Sequence, residues 1–125
     1  MNTRTWLGIT GAAALAFGGA TAAMAQMYEK IRLVNSTGYT IAQIFISAGH
    51  KQTWEEDVLD WDVLEDGQTF DLDMRRADNT CDWDLRVVYS DGDEAVWDGL
   101  NLCDNWHFEL FYNARTGETH LTGSS

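Results

Sequence analysis

The residues of this 125-residue chain whose types and spacing could do chemistry are clustered carboxylates. One cluster lies between residues 57 and 66 and a second between residues 91 and 98; their members are Asp57, Asp60, Asp62, Glu65 and Asp66, and Asp91, Asp93, Glu94 and Asp98. Hard cations such as Ca²⁺ take about six to eight oxygen ligands. One hypothesis is therefore a divalent-cation site, with Ca²⁺ as possible cofactor, that draws on Asp57, Asp60, Asp62, Asp91 and Asp93.

Neither cluster has the spacing of an EF-hand loop. Counting from Asp91, the positions that need a ligand and a glycine are Ala95 and Val96. The competing interpretation is that these carboxylates are solvated charges on turns and on the wet faces of strands. The sequence leaves both interpretations open.

Hydrolytic chemistry has less support. The three histidines, His50, His107 and His120, are scattered, and no Gly-x-Ser-x-Gly motif accompanies them. Paired carboxylates could still serve glycoside hydrolysis. A small hydrolase is accordingly the third hypothesis, and it predicts a cleft with a buried carboxyl group of perturbed pKa.

Tryptophan offers a different chemistry, the anchoring of a protein partner or the stacking of a ring. Trp83 and Trp106 alternate with polar residues in strand-like segments, so we expect them in the core. Trp54 and Trp61 lie on a segment without that alternation. These two are the predicted partner-binding residues.

The charge balance excludes some classes of partner. The chain carries 20 acidic and 8 basic residues, and only one basic residue, Arg4, precedes residue 26. A field of this sign repels nucleic-acid phosphates and anionic lipid surfaces. It attracts cations, basic proteins and cationic peptides, although it also serves simply to keep a small domain soluble and monomeric.

Residues 1–25 have the layout of a cleavable secretory signal. Arg4 gives a short charged start, an uncharged run rich in Ala and Gly follows, and Ala23-Met-Ala25 precedes Gln26. The run is too short and too weakly apolar for a membrane anchor. We therefore expect a periplasmic or secreted protein whose single domain is residues 26–125.

The two cysteines, Cys81 and Cys103, both follow the predicted signal. An even cysteine count in an oxidising compartment predicts one disulfide. A zinc site is disfavoured because the pair has no Cys-x-x-Cys spacing and no nearby His.

The elements that must position these residues are predicted to be strands. Strand-length segments with period-2 alternation are separated by turn residues such as Asp91-Gly92 and Thr116-Gly117. The predicted strands are 28–35, 39–47, 69–74, 83–89, 94–98, 106–112 and 118–122. This pattern predicts an all-β, compact antiparallel β-sandwich.

One segment departs from this pattern. Thr53-Trp-Glu-Glu56 has the form of a helix capping box, and Trp54, Val58, Leu59 and Trp61 recur at helical spacing. We expect a short helix or helical turn over residues 54–61.

Five motifs together resemble a class of small secreted bacterial β-sandwich domains. They are Asn35-Ser-Thr-Gly38, Trp54-Glu-Glu-Asp57-Val-Leu59, Cys81-Asp-Trp83-Asp-Leu85, Asp91-Gly92 and Asn101-Leu-Cys103. The chain departs from the class at Glu55, where a glycine is expected. The resemblance implies a compact sandwich with one disulfide, and it implies no activity.

The leading expectation is thus a non-enzymatic exported binding or interaction domain with an acidic surface. Its expected partner is a basic protein or peptide of the cell envelope, and we expect a monomer without a membrane anchor.

Overall fold

The computed structural model describes residues 26–51 and 53–125, so the predicted signal at residues 1–25 lies outside the described part. Seven strands form two packed sheets, which confirms the all-β prediction. The strands are β1 (Lys30–Ser36), β2 (Ile41–Ala48), β3 (Thr69–Asp73), β4 (Asp82–Tyr89), β5 (Glu94–Asn101), β6 (His107–Asn113) and β7 (Glu118–Ser124).

The larger sheet has the strand order β3-β1-β6-β7 and the smaller sheet the order β2-β4-β5. Alternate residues of both sheets point inward to one core, where Leu33, Leu85 and Leu110 are fully buried. Trp83 is also buried, and Trp106 packs against the core, as predicted.

The expectation of a purely antiparallel fold is wrong at one pair of strands. β1 and β6 run parallel, with Leu33 opposite Phe108. A hairpin forces its two strands to be antiparallel, but β1 and β6 are separated by four other strands. Their relative direction is therefore not fixed by local turn residues.

The predicted short helix is absent from the described residues, and a hydrogen-bonded turn occupies residues 58–61, with Asp62 N–H donating to Leu59 O at 3.0 Å. Segment 57–64 instead runs along the free edge of β2: Val58 N–H donates to Ile44 O at 2.8 Å, and Leu64 and Ile41 exchange two hydrogen bonds of 2.9 Å. The Asp57 carboxylate accepts hydrogen bonds from the backbone N–H groups of Ile44 and Leu59. These bonds compete with helix formation and cover an edge that would otherwise be open.

A buried asparagine organises the turn between β1 and β2. Asn35 is fully buried, and its side-chain amide donates to Tyr39 O at 2.8 Å and to Leu64 O at 2.9 Å. Its side-chain oxygen accepts hydrogen bonds from the backbone and hydroxyl of Thr37. The turn and segment 57–64 are thereby tied to each other, and Tyr39 is held at the end of the sandwich.

The two ends of the sandwich differ. The disulfide end comprises residues 26–29, 74–81 and 102–106, and the predicted Cys81–Cys103 disulfide is present there. The tyrosine end comprises the turns at residues 37–40, 64–68, 90–93 and 113–117. Both predicted hairpin turns lie at the tyrosine end, with Gly92 and Gly117 at positive φ angles of 95° and 79°.

Candidate functional site

Three of the four tyrosines of the chain meet at the tyrosine end. Tyr89 and Tyr112 extend the inward-facing stripes of β4 and β6, and Tyr39 precedes β2. The ring centroids of Tyr39 and Tyr112 are 5.5 Å apart, those of Tyr89 and Tyr112 6.2 Å, and those of Tyr39 and Tyr89 6.4 Å. These distances are those of directly packed aromatic rings, so the three side chains form one aromatic cluster.

A pocket of about 290 Å³ opens beside this cluster. Its wall consists of the three tyrosines, of residues from the two hairpins that close this end, and of one residue of β7; the non-tyrosine members are Asp91, Asp93, Glu94, Gly117 and Thr119. The volume lies near the lower limit of small-molecule sites, about 300 Å³. The tyrosine pocket therefore has room for one side-chain-sized group.

The hydroxyl group of Tyr89 is an unusual feature of this pocket. Tyr89 is 7% exposed, and its oxygen is buried without a hydrogen-bond partner among the described atoms. Burial, with the neighbouring Tyr112 and Asp91, raises the pKa of Tyr89 to about 12. The phenol is thus neutral at physiological pH, and its oxygen is covered by neighbouring atoms and not open to the pocket.

The carboxylates of the pocket differ in how far they are neutralised. Glu94 accepts hydrogen bonds from Arg86 at 3.1 and 3.2 Å, and this partner lowers the pKa of Glu94. Asp91 accepts a hydrogen bond from the backbone N–H of Asp93 at 2.9 Å. Neither Asp91 nor Asp93 belongs to an ion pair within the described part of the chain. The pocket therefore presents two exposed negative charges beside an aromatic surface.

The carboxylates predicted to bind a cation are distributed over two elements. Asp91 and Asp93 lie in the β4–β5 turn, and Asp57, Asp60 and Asp62 lie on the segment that covers the edge of β2. Residues 26–51 and 53–125 contain no group of three or more His, Cys, Asp or Glu arranged to hold a metal ion. The cation hypothesis thus gains no geometry from the described residues, and the Asp57 carboxylate is engaged in backbone hydrogen bonds.

The two predicted partner-binding tryptophans have different surroundings. Trp61 is 94% exposed and follows Asp60, a non-glycine residue with a positive φ angle of 59°. Trp54 is half-buried and lines a shallow depression with Ser47, Lys51 and Asp84. Neither tryptophan lines the tyrosine pocket.

Two further carboxyl groups form ion pairs with arginines, and these pairs lower the pKa of each carboxyl group. The Arg32 guanidinium lowers the pKa of Asp71, and the Arg75 guanidinium lowers that of Asp73. A general acid requires the opposite direction, a raised carboxyl pKa. Asp84 accepts a hydrogen bond from Gly99 N–H at 3.2 Å.

Sequence reasoning identified the acidic residues of the pocket but missed the pocket itself. It placed Tyr89 and Tyr112 at the ends of the predicted strands 83–89 and 106–112, and it assigned Asp91 and Asp93 to a possible cation site. The missed signal is positional, because both stripes end in tyrosine immediately before a hairpin turn, and successive hairpins of this kind close the same end of a sandwich.

Comparison with known proteins identifies a similar fold. A protein from Eubacterium rectale whose structure was determined by NMR matches with a TM-score of 0.53 over 82% of this chain and 94% of its own length, at 14% sequence identity. At this identity the likeness shows the fold alone. No protein-family model matches the chain, and no curated protein matches it. The described residues include no helix long and apolar enough to cross a membrane.

Proposed function

We propose that this chain is an exported, non-enzymatic binding domain that holds a cationic group of a basic protein or peptide in the tyrosine pocket. The observation that carries this proposal is the combination of three packed tyrosines with Asp91 and Asp93, two carboxylates outside the ion pairs of the described residues. Aromatic faces and carboxylates both attract cations, the first through the ring quadrupole and the second through charge.

The distribution of charge supports a basic partner. Of the 20 acidic side chains, five take part in ion pairs: Glu55, Asp71, Asp73, Asp78 and Glu94. The remaining carboxylates produce a negative field that would speed the approach of a basic partner. The turns of the tyrosine end carry Glu65, Asp66, Asp91 and Asp93 against one basic residue, Arg115.

Export is supported by two separate features. The first is the signal-like layout of residues 1–25. The second is the Cys81–Cys103 disulfide, since disulfides persist in oxidising compartments. A partner in the periplasm or at the cell surface is consistent with both features.

Trp61 supplies a second candidate contact for the same partner. A side chain of this size that is 94% exposed contributes almost nothing to the core. It stands between Asp60 and Asp62, so a basic surface that approaches it meets both an aromatic ring and negative charge.

The proposal is tested by the affinity of the mature domain for hexalysine, measured by calorimetry at fixed ionic strength. The double variant Asp91→Asn/Asp93→Asn removes two charges from the pocket, and we expect it to weaken binding about tenfold. The matched control, Glu29→Gln/Asp98→Asn, removes two exposed charges away from the pocket.

The control variant distinguishes binding at the tyrosine pocket from attraction by the overall negative charge of the domain. The control variant should bind within about twofold of the unaltered domain, with only the loss expected from a weaker overall field. Equal losses in the two double variants would show that hexalysine responds to net charge alone. That result, or the absence of binding to the unaltered domain, would contradict the proposed function.

A further inference from the structure

The shape of the tyrosine pocket restricts which cation it can take. Because the three rings pack directly on one another, with centroids no more than 6.4 Å apart, no space between them could enclose a spherical quaternary ammonium group. A ligand must instead lie against the accessible part of the cluster. Tyr39 supplies most of that accessible surface, since it is 46% exposed.

The polar side chains that line this surface can all act as acceptors. Among them, Asp91 and Asp93 are exposed and offer carboxylate oxygens. Several acceptors beside a flat aromatic surface match a planar cation with several N–H donors. An arginine guanidinium has five such donors in one plane, whereas a lysine ammonium is a compact point charge.

The chain itself binds its own arginines in this way at two other places. Arg86 lies over the Phe45 ring, with its guanidinium carbon 4.9 Å from the ring centroid, while it bonds to both oxygens of Glu94. Arg32 lies 5.7 Å from the Trp106 ring centroid while it bonds to both oxygens of Asp71. Each site combines one aromatic ring with one carboxylate.

The tyrosine pocket repeats this combination with exposed carboxylates and no arginine among its lining residues. We infer that the group it takes is the guanidinium of an arginine side chain from the basic partner. This inference rests on the proposed function and narrows the ligand from any cation to a planar one. Stacking on Tyr39 and hydrogen bonds to Asp91 and Asp93 are the contacts that this ligand would make.

The test compares three peptides of equal length: hexa-arginine, hexalysine and hexacitrulline, the last being a neutral analogue of hexa-arginine. We expect the mature domain to bind hexa-arginine about tenfold more tightly than hexalysine, a difference of about 1.4 kcal/mol. Hexacitrulline should bind more weakly than either, because it lacks the charge.

Two variants test whether the preference for hexa-arginine over hexalysine arises at the tyrosine pocket. Tyr39→Leu removes an exposed ring and should reduce the arginine preference to less than about threefold. The matched control is Tyr28→Leu, since Tyr28 is a similarly exposed tyrosine of the disulfide end at 39% exposure. It should leave the preference unchanged.

The outcomes separate this inference from the proposed function. Equal affinities for hexa-arginine and hexalysine, both weakened by Asp91→Asn/Asp93→Asn, would overturn the arginine inference and leave the cation-binding function standing. A tenfold preference that survives Tyr39→Leu would also overturn the inference, because the preference would arise elsewhere. Failure of both peptides to bind would overturn the proposed function with it.

Discussion

The two ends of this sandwich differ in the interactions that their residues make. At the disulfide end, chain segments are held together by Cys81–Cys103, and Asp78 forms an ion pair with Lys51 of the loop that follows β2. At the tyrosine end, three packed rings and a buried phenol without a partner face two carboxylates outside any described ion pair. A disulfide and paired charges stabilise a fold, whereas carboxylates without a paired cation beside a pocket are available to a ligand.

This contrast suggests why so acidic a domain of about 100 residues can hold an open site. Domains of this size have little stability to spare. The cost of leaving polar groups unsatisfied at one end is offset by covalent and hydrogen-bonded cross-links at the other end and in the Asn35 turn. The comparison therefore predicts that changes at the disulfide end lower stability without weakening binding.

The largest effect should follow removal of the disulfide. Cys81→Ser/Cys103→Ser opens a link between residues 22 apart and should lower the free energy of unfolding by about 3 kcal/mol. Denaturant unfolding measures this loss. Under conditions where the variant remains folded, its affinity for hexalysine should be unchanged. A variant that is fully folded and yet has lost binding would break the separation of the two ends.

A smaller loss of stability should follow Asn35→Ala. The substitution removes four hydrogen bonds, leaves the buried N–H of Thr37 without its acceptor, and should cost about 2 kcal/mol. The control is Asn113→Ala, since Asn113 caps an exposed turn at the same end and should cost less than about 1 kcal/mol. Because Asn35 fixes the turn that carries Tyr39, its loss should also weaken binding. Equal costs for the two variants would contradict the role given to Asn35.

The titration of Tyr89 gives a pH dependence with a definite sign. Its pKa is raised from 10.0 to about 12, so the folded state retains the proton more strongly than the unfolded state. The stability contributed by the neutral phenol is fully present below pH 10 and is lost as the pH rises towards 12, by roughly 1 to 2 kcal/mol.

Tyr89→Phe should therefore lose less stability than the unaltered domain over this range, as measured by urea unfolding at several pH values. Tyr28→Phe serves as the control and should follow the unaltered domain. If the free energies of unfolding of Tyr89→Phe and of the unaltered domain fell in parallel with rising pH, the buried environment assigned to this hydroxyl would be wrong.

The smallest effect on stability should come from Trp61→Ala. The side chain is 94% exposed, so its removal should change the free energy of unfolding by less than about 0.5 kcal/mol. The buried Trp83 is the contrast, and Trp83→Ala should cost about 3 kcal/mol or more. If Trp61 contacts the partner, its removal weakens binding while thermal stability is kept. Unchanged binding would restrict the partner surface to the tyrosine pocket.

Much of the fold could be predicted from local patterns, because alternation and turn residues are local signals. All seven strands and both hairpins were located in this way. The parallel pairing of β1 with β6 could not be predicted, since it depends on how distant strands assemble. The error at residues 54–61 has a specific cause: Val58 and Leu59 pack inward while Trp61 points outward, and Asp57 directs the backbone to the edge of β2 instead of into a helix.

The candidate site was predictable only in parts. The carboxylates of the β4–β5 turn are visible in the sequence, but a cation site and a rim for an aromatic pocket contain the same residue types. The difference lies in which side chains meet, and Tyr39, Tyr89 and Tyr112 are brought together from three separate segments. Which side chains meet is seen only in the tertiary structure.

The most direct test of the central claim is an NMR titration of isotopically labelled protein comprising residues 26–125 with hexa-arginine. The amide signals of Gly92, Asp93, Gly117 and Thr119, at or beside the tyrosine pocket, should shift with a saturable dependence on peptide concentration. The signals of residues 102–106 at the disulfide end should stay in place. Shifts spread evenly over both ends, or concentrated at the disulfide end, would contradict the assignment of binding to the tyrosine end.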